Sequence, residues 1–221
     1  MTSKPPRAQI LDVRAKVAMG VLAAVALANL YGISADLEYV SLANDLLGGE
    51  RVSFEDAEAV DDKFARSATI QLVATLLCAV TFLLWLARAH NNASALGAPP
   101  RETKAAALFC WFVPIANLFV PKRVVNDIWR GSDPDDPEPP PPEWRKRRVS
   151  GLVQAWWITW LLGGFLGNVL LRRAFNEDIV TPEDLRSEGY GYLVSDAIYI
   201  VAAILAILMV REMTERLELR R

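Results

Sequence analysis

Four stretches of the chain, residues 17–35, 69–86, 149–171 and 192–210, are almost free of charged side chains. Each is about 17–25 residues long, the length of helix that crosses a hydrocarbon layer of about 30 Å. A fifth apolar run, 105–120, is shorter, with Pro114 near its middle and Pro121 directly after it. A proline inside such a run removes a helix hydrogen bond and breaks the straight path. The next segment, 122–130, puts Val124, Val125, Ile128 and Trp129 on one helical face and Lys122, Arg123, Asn126, Asp127 and Arg130 on the other. That division predicts a helix lying in the headgroup plane. The pattern predicts an all-α, polytopic membrane protein with four transmembrane helices and a proline-broken re-entrant and interfacial segment. The membrane domain spans 17–210, between a cytoplasmic N-terminus (1–16) and a cytoplasmic tail (211–221).

Punctuation between the apolar runs agrees with helices. Gly48-Gly49 stops the first helical pattern, and Ser53 with Asp56 three residues on caps the next. Gly97 and Pro99-Pro100 break the chain after the second span, and Thr181-Pro182 opens the last helix. Gly20, Ala24 and Ala28 recur every four residues, as do Gly163 and Gly167, so each set offers a face for close helix approach. The proline-rich linker 133–143 is expected to be stiff polyproline II that neither packs nor forms a helix. The basic start, the apolar run and Ala26-Leu27-Ala28 resemble a signal peptide, but the run continues through Leu30 and Ile33, which favours a retained span.

Charge decides the topology. If 105–120 enters and leaves on one side, 18 of the 24 Lys and Arg residues lie with the two termini and 6 lie opposite. If it crosses, the division is only 10 against 14. The positive-inside bias favours the re-entrant arrangement, with both termini cytoplasmic. In that arrangement the Pro114 region is expected to be covered by the spans, with Asn117 hydrogen-bonding the freed carbonyls. The net charge of −2 says nothing further about partners, because the charges are segregated along the chain.

Little catalytic chemistry is visible. Cys78 and Cys110 sit in apolar runs, and His90 is the sole histidine, so neither a disulfide, a metal site nor a cofactor is expected. No nucleophile, phosphate-loop or dinucleotide motif is present. Asp196 lies near the outer third of the last span, where an ionised side chain needs a partner such as Arg172, Arg173 or Asn168. It reads either as an ion or proton site or as an interfacial ion pair. Arg88 and Asn92, just past the second span, offer either a phosphate or headgroup site or a snorkelling anchor and a helix cap. The run Arg145-Lys146-Arg147-Arg148 abuts the third span and reads as a topology anchor attracted to anionic lipid headgroups. Membrane lipids are thus the expected partners, together with a second copy of the chain or another membrane protein, and no nucleic acid.

Two motifs carry a family resemblance. Trp85-Leu86-Ala87-Arg88-Ala89-His90-Asn91-Asn92-Ala93-Ser94-Ala95-Leu96-Gly97 is followed by Trp111-Phe112-Val113-Pro114-Ile115-Ala116-Asn117-Leu118-Phe119-Val120-Pro121 and then Ile128-Trp129. Together they resemble a bacterial integral-membrane family catalogued as domain of unknown function 4328, over roughly residues 17–210. That family often has a tyrosine-glutamine pair after the second proline, where this chain has Lys122-Arg123. The resemblance implies a bacterial inner membrane and the same architecture, and it brings no activity. The favoured function is a structural or accessory interaction protein of the cell membrane. The alternatives are a channel or small transporter using the broken 105–121 segment, and a membrane-embedded enzyme.

Overall fold

A computed structural model of the chain describes residues 10–136, 140–176 and 181–220. Among these the regular structure is helical: α1 (Asp12–Leu47), α2 (Phe54–Ala95), α3 (Lys104–Phe109), α4 (Pro114–Asn117), α5 (Val120–Gly131), α6 (Gly151–Asn176) and α7 (Pro182–Leu219). Short 3₁₀ turns occupy Cys110–Phe112 and Pro142–Lys146. Three helices, α1, α2 and α7, are long and apolar enough to cross a membrane. The segments Lys104–Phe112 and Pro114–Gly131 meet at 107° and make a fourth candidate only if that bent pair is one span. α6 is helical over the third expected span but is not among these candidates. Its Gln154, Asn168 and three tryptophans dilute its hydropathy.

The helix ends are set locally. Ser53 Oγ accepts the Asp56 N–H at 3.0 Å and donates to Asp56 Oδ2 at 2.6 Å, which satisfies one of the free amides that open α2. Thr181 does the same for α7: its Oγ1 accepts the Asp184 N–H, while Asp184 Oδ2 accepts the Thr181 N–H, both at 3.2 Å. α2 stops at Gly97, which holds φ +80°. There the Ala98 N–H reaches Ala93 O at 2.9 Å and the Gly97 N–H reaches Ser94 O at 3.2 Å.

The chain divides into two compact units. Unit 1 holds residues up to Val21, Cys78–Trp157 and Leu205 onward; unit 2 holds Leu22–Leu77 and Ile158–Ile204. In unit 1 the core forms from Leu11 and Ala18 of α1, Trp85 and Leu86 of α2, Val153 and Trp156 of α6, and Met209, Met213 and Leu217 of α7. Polar ties cross-link these helices. The Leu11 N–H donates to Glu218 Oε1 at 2.6 Å, Arg14 Nη1 to Leu84 O at 2.9 Å, and Trp85 Nε1 to Thr214 Oγ1 at 3.0 Å. Phe82 packs its ring against Trp85, Trp111 and Trp156.

Unit 2 is built around aromatic and small residues. Tyr39 stacks on Phe64, whose edge meets Tyr192, and the Tyr199 ring lies across Gly163 and Gly167. That glycine pair therefore seats an aromatic ring. The other small stripe differs from expectation: Gly20 and Ala24 are exposed, and the inward side of α1 carries Ala18, Leu22, Val25 and Ala28. Leu72 and Leu76 of α2 and Phe165 of α6 point outward, as apolar side chains do where hydrocarbon replaces water.

The broken segment differs more. Val113 is extended, and Pro114 starts α4 at its first position instead of kinking a continuous helix. Pro114 is exposed, as are Phe112, Ile115 and Phe119, so the spans do not cover this turn. Among the described residues the Asn117 amide makes no bond to the freed carbonyls, and its buried Oδ1 also lacks a donor. Pro121 is buried at the first turn of α5. The expected interfacial helix turns its apolar face onto protein: Val124, Val125 and Ile128 are fully buried and Trp129 nearly so. Each such aliphatic side chain stabilises unit 1 by roughly 1.5–3 kcal/mol. The proline-rich stretch also packs in part, since Pro142–Lys146 makes a 3₁₀ turn around buried Trp144. Residues 137–139 of that stretch lie outside the described residues.

Candidate functional site

Unit 1 contains a pocket of about 320 Å³ lined by Trp129, Arg130, Asp133, Arg147, Arg148, Val149, Ser150 and Arg216. Ser150 precedes α6, and its Oγ accepts the Leu152 N–H at 3.1 Å. The positive end of the α6 dipole thus opens beside this pocket. α5 ends at Gly131, which presents Trp129 and Arg130 from its last turn. α7 supplies Arg216, whose Nε donates to Ser132 Oγ at 3.1 Å while its guanidinium lies 4.6 Å from the Trp129 ring centre. Arg220, one turn on, donates to the Gly131 carbonyl.

The lining arginines are held to different degrees. Arg147 is gripped by both oxygens of Asp136 and by Asp133 at 3.0 Å. Hydrogen bonding to Asp136 raises its guanidinium above the ordinary value, with the charges of Asp136 and Asp133 adding to the effect and burial opposing it. Arg130 Nε donates to Arg147 O at 2.7 Å, and its Nη1 lies 3.8 Å from Asp127 Oδ1. Arg148 is exposed and makes no ion pair among the described residues. The pocket wall therefore combines four guanidinium groups with one lining carboxylate and a helix N-terminus. Chemically this suits an anion with several acceptor oxygens, because guanidinium forks bind phosphate and carboxylate with two parallel hydrogen bonds.

A buried polar frame fixes α5 next to this pocket. Asp127 is 1% exposed, although its position in the sequence pattern assigned it to the outer face. Its Oδ2 accepts the Arg101 N–H at 3.1 Å, and Arg101 Nε lies 3.7 Å away. Glu102 pairs with Arg123 at 3.1 Å and offers its carbonyl to His90 Nε2 at 2.9 Å. Lys122 Nζ donates to Val153 O at 3.2 Å. Burial lowers that ammonium from 10.5 to about 8, and the Arg130 charge acts in the same direction.

Of the residues singled out by sequence, the structure gathers Trp129, Arg147 and Arg148 at the pocket. Arg145 is directed elsewhere: it stacks on Trp144 at 4.4 Å and donates to Pro99 O at 2.8 Å. Lys146 is exposed. Arg88 is half-buried on α2 and makes no ion pair among the described residues, and Asn92 is buried inside the last turns of α2 instead of capping its end. Pro114, Asn117 and Pro121 belong to the bent segment described above. Asp196 belongs to unit 2, where it accepts a hydrogen bond from Gln71 Nε2 at 2.7 Å. Arg172 reaches Asn168 Oδ1 at 2.9 Å. Sequence reasoning missed Arg130, Ser150 and Arg216 as partners. Ser150 before Gly151 was readable as a helix cap, but nothing local marks Arg216, 84 residues from its partner Ser132.

A family model described as a domain of unknown function (DUF4328) matches residues 49–215. No curated protein and no solved structure matches the chain.

Proposed function

Because the chain belongs to the DUF4328 family, a membership that carries no activity with it, we propose a function from the pocket itself: this is an accessory protein of the bacterial cell membrane that holds anionic lipid headgroups. In this reading four helices, α1, α2, α6 and α7, cross the bilayer, the bent 104–131 segment stays on one side, and both termini are cytoplasmic. Unit 1 then lies at the cytosolic face, where anionic lipids attract about 1 kcal/mol per basic residue. The observation that carries the proposal is the convergence of Arg130, Arg147, Arg148 and Arg216 on one pocket at the start of α6. The outward apolar side chains of the bent segment support a lipid contact more than a conduction path. The role is binding and organisation, not catalysis, with a membrane-protein partner or a second copy as the further contact.

The test uses the full chain in nanodiscs containing phosphatidylglycerol and phosphatidylcholine, with lipid retention read by native mass spectrometry. Arg148→Ala and Arg216→Ala should each lower retention of the anionic lipid about fivefold, while Arg88→Ala should leave it unchanged. Soluble inorganic phosphate should compete weakly. Equal retention by the pocket variants and the wild type would remove the proposal.

A further inference from the structure

Unit 2 brings together two buried carboxylates that make no ion pair among the described residues. Asp36 of α1 is 2% exposed, and its Oδ2 has no hydrogen-bond partner. Asp196 of α7 is 7% exposed, and its Oδ2 accepts from Gln71 Nε2 of α2 at 2.7 Å. Gly32 lies one turn before Asp36 on the same side of α1. A Cβ at Gly32 would overlap both Asp196 Oδ2 and Gln71 Nε2. The absent side chain is what lets those two groups lie against the α1 backbone, one turn from Asp36. Asp36 and the Asp196 carboxylate thus lie on the same side of α1, about one helical turn apart along it.

The neighbouring charges do not neutralise the two carboxylates. On α2, Lys63 is engaged 2.6 Å from Glu38 Oε1 and also donates to Ser34 O at 3.3 Å. From α7, Tyr192 stands in the fields of Glu188, Asp36 and, from α6, Arg173, while Tyr199 stands in that of Asp196. Tyr39, on α1 itself, faces Glu188 and Asp61. Neither Asp36 nor Asp196 makes an ion pair among the described residues. Two like charges buried together cannot both stay ionised without a compensating positive charge.

We propose that Asp36 and Asp196 form a proton-binding site in which the pair holds one proton at neutral pH. Asp36, with an unpartnered oxygen, carries it; Asp196 stays ionised under the Gln71 hydrogen bond. The direction of that bond argues for a proton over a metal ion, because Gln71 presents an N–H to the site where a metal would need an oxygen. Among the described residues no group of three His, Cys, Asp or Glu is arranged to hold a metal.

The experiment is infrared difference spectroscopy of the carboxylic C=O band, on the full chain in nanodiscs titrated from mildly acidic to alkaline buffer. Wild type should show one buried carboxylic-acid band at neutral pH that disappears as pH rises. Asp36→Asn should abolish the band, and Asp196→Asn should leave one band that disappears at lower pH than in wild type, because the negative charge that opposes ionisation of Asp36 is replaced by a neutral amide. Replacing choline chloride by sodium chloride at constant pH should change nothing. A wild-type spectrum without the band, a band unchanged in Asp36→Asn, or one erased by sodium would each overturn the proposal. The wild-type and sodium arms need no variant to fold.

Discussion

Trp85 and Thr214 are joined by a 3.0 Å hydrogen bond from the indole N–H of α2 to the hydroxyl of α7, with both residues buried in unit 1. The same hydroxyl donates its single proton to Val210 O at 2.6 Å, which fixes its direction. Thr214→Val keeps the shape and leaves the buried indole N–H without an acceptor, a loss of about 1–3 kcal/mol. Thr214→Ser keeps the hydroxyl and should stay within about 1 kcal/mol of wild type. Thermal unfolding of both variants in one detergent measures the difference; equal midpoints would show that the bond contributes nothing.

Gly131 and Ala98 make a second checkable pair. A Cβ at Gly131 would stand 2.5 Å from Ala98 Cβ, so Gly131→Ala should destabilise unit 1 by about 1–3 kcal/mol through overpacking. Ala98→Gly opens the space, and the double variant should recover most of that loss. An additive double-mutant cycle would place the damage elsewhere.

Gly97 holds φ +80° at the end of α2. Gly97→Ala should cost about 1–2 kcal/mol, because an L side chain at positive φ crowds its own carbonyl. Hydrogen exchange at Ala98 should quicken in the variant, since its N–H closes the helix end onto Ala93 O. Unchanged protection there would contradict this.

Lys122 supplies a pH dependence with a definite sign. Its ammonium sits at about 8 in the folded chain against an ordinary 10.5. Between those values the unfolded chain holds more protons, so stability rises with pH across that window. Lys122→Met should flatten the rise and leave the folded chain at least as stable at neutral pH. Unfolding midpoints taken through the window test it; parallel slopes for variant and wild type would refute it.

What the sequence made legible was what is decided within a few residues. The Ser53 and Thr181 caps and the Gly97 stop depend on side chains bonding amides two or three positions away, so spacing alone exposes them. Periodicity likewise showed that Val124, Val125, Ile128 and Trp129 share a face. It could not show what covers that face, since lipid and protein are equally apolar neighbours. Asp127 was misplaced for the same reason: its burial rests on the Arg101 N–H, 26 residues away. Pro114 was read as a kink because a proline in an apolar run breaks a helix, yet an extended Val113 lets the same ring begin one. For the site, two of the four lining arginines stood in the conspicuous 145–148 run. Arg130 and Arg216 become pocket residues only through the packing of α5 and α7.

The burial of the apolar side of α5 also limits what this region can respond to. A helix that reports on loosely packed or curved bilayers must be free to slide its greasy side between acyl chains, and α5 has that side locked against its own unit. On the proposed headgroup-binding reading, what reaches α5 from outside is charge, and a change in salt or in the phosphates carried by nearby headgroups would be felt there through Arg130.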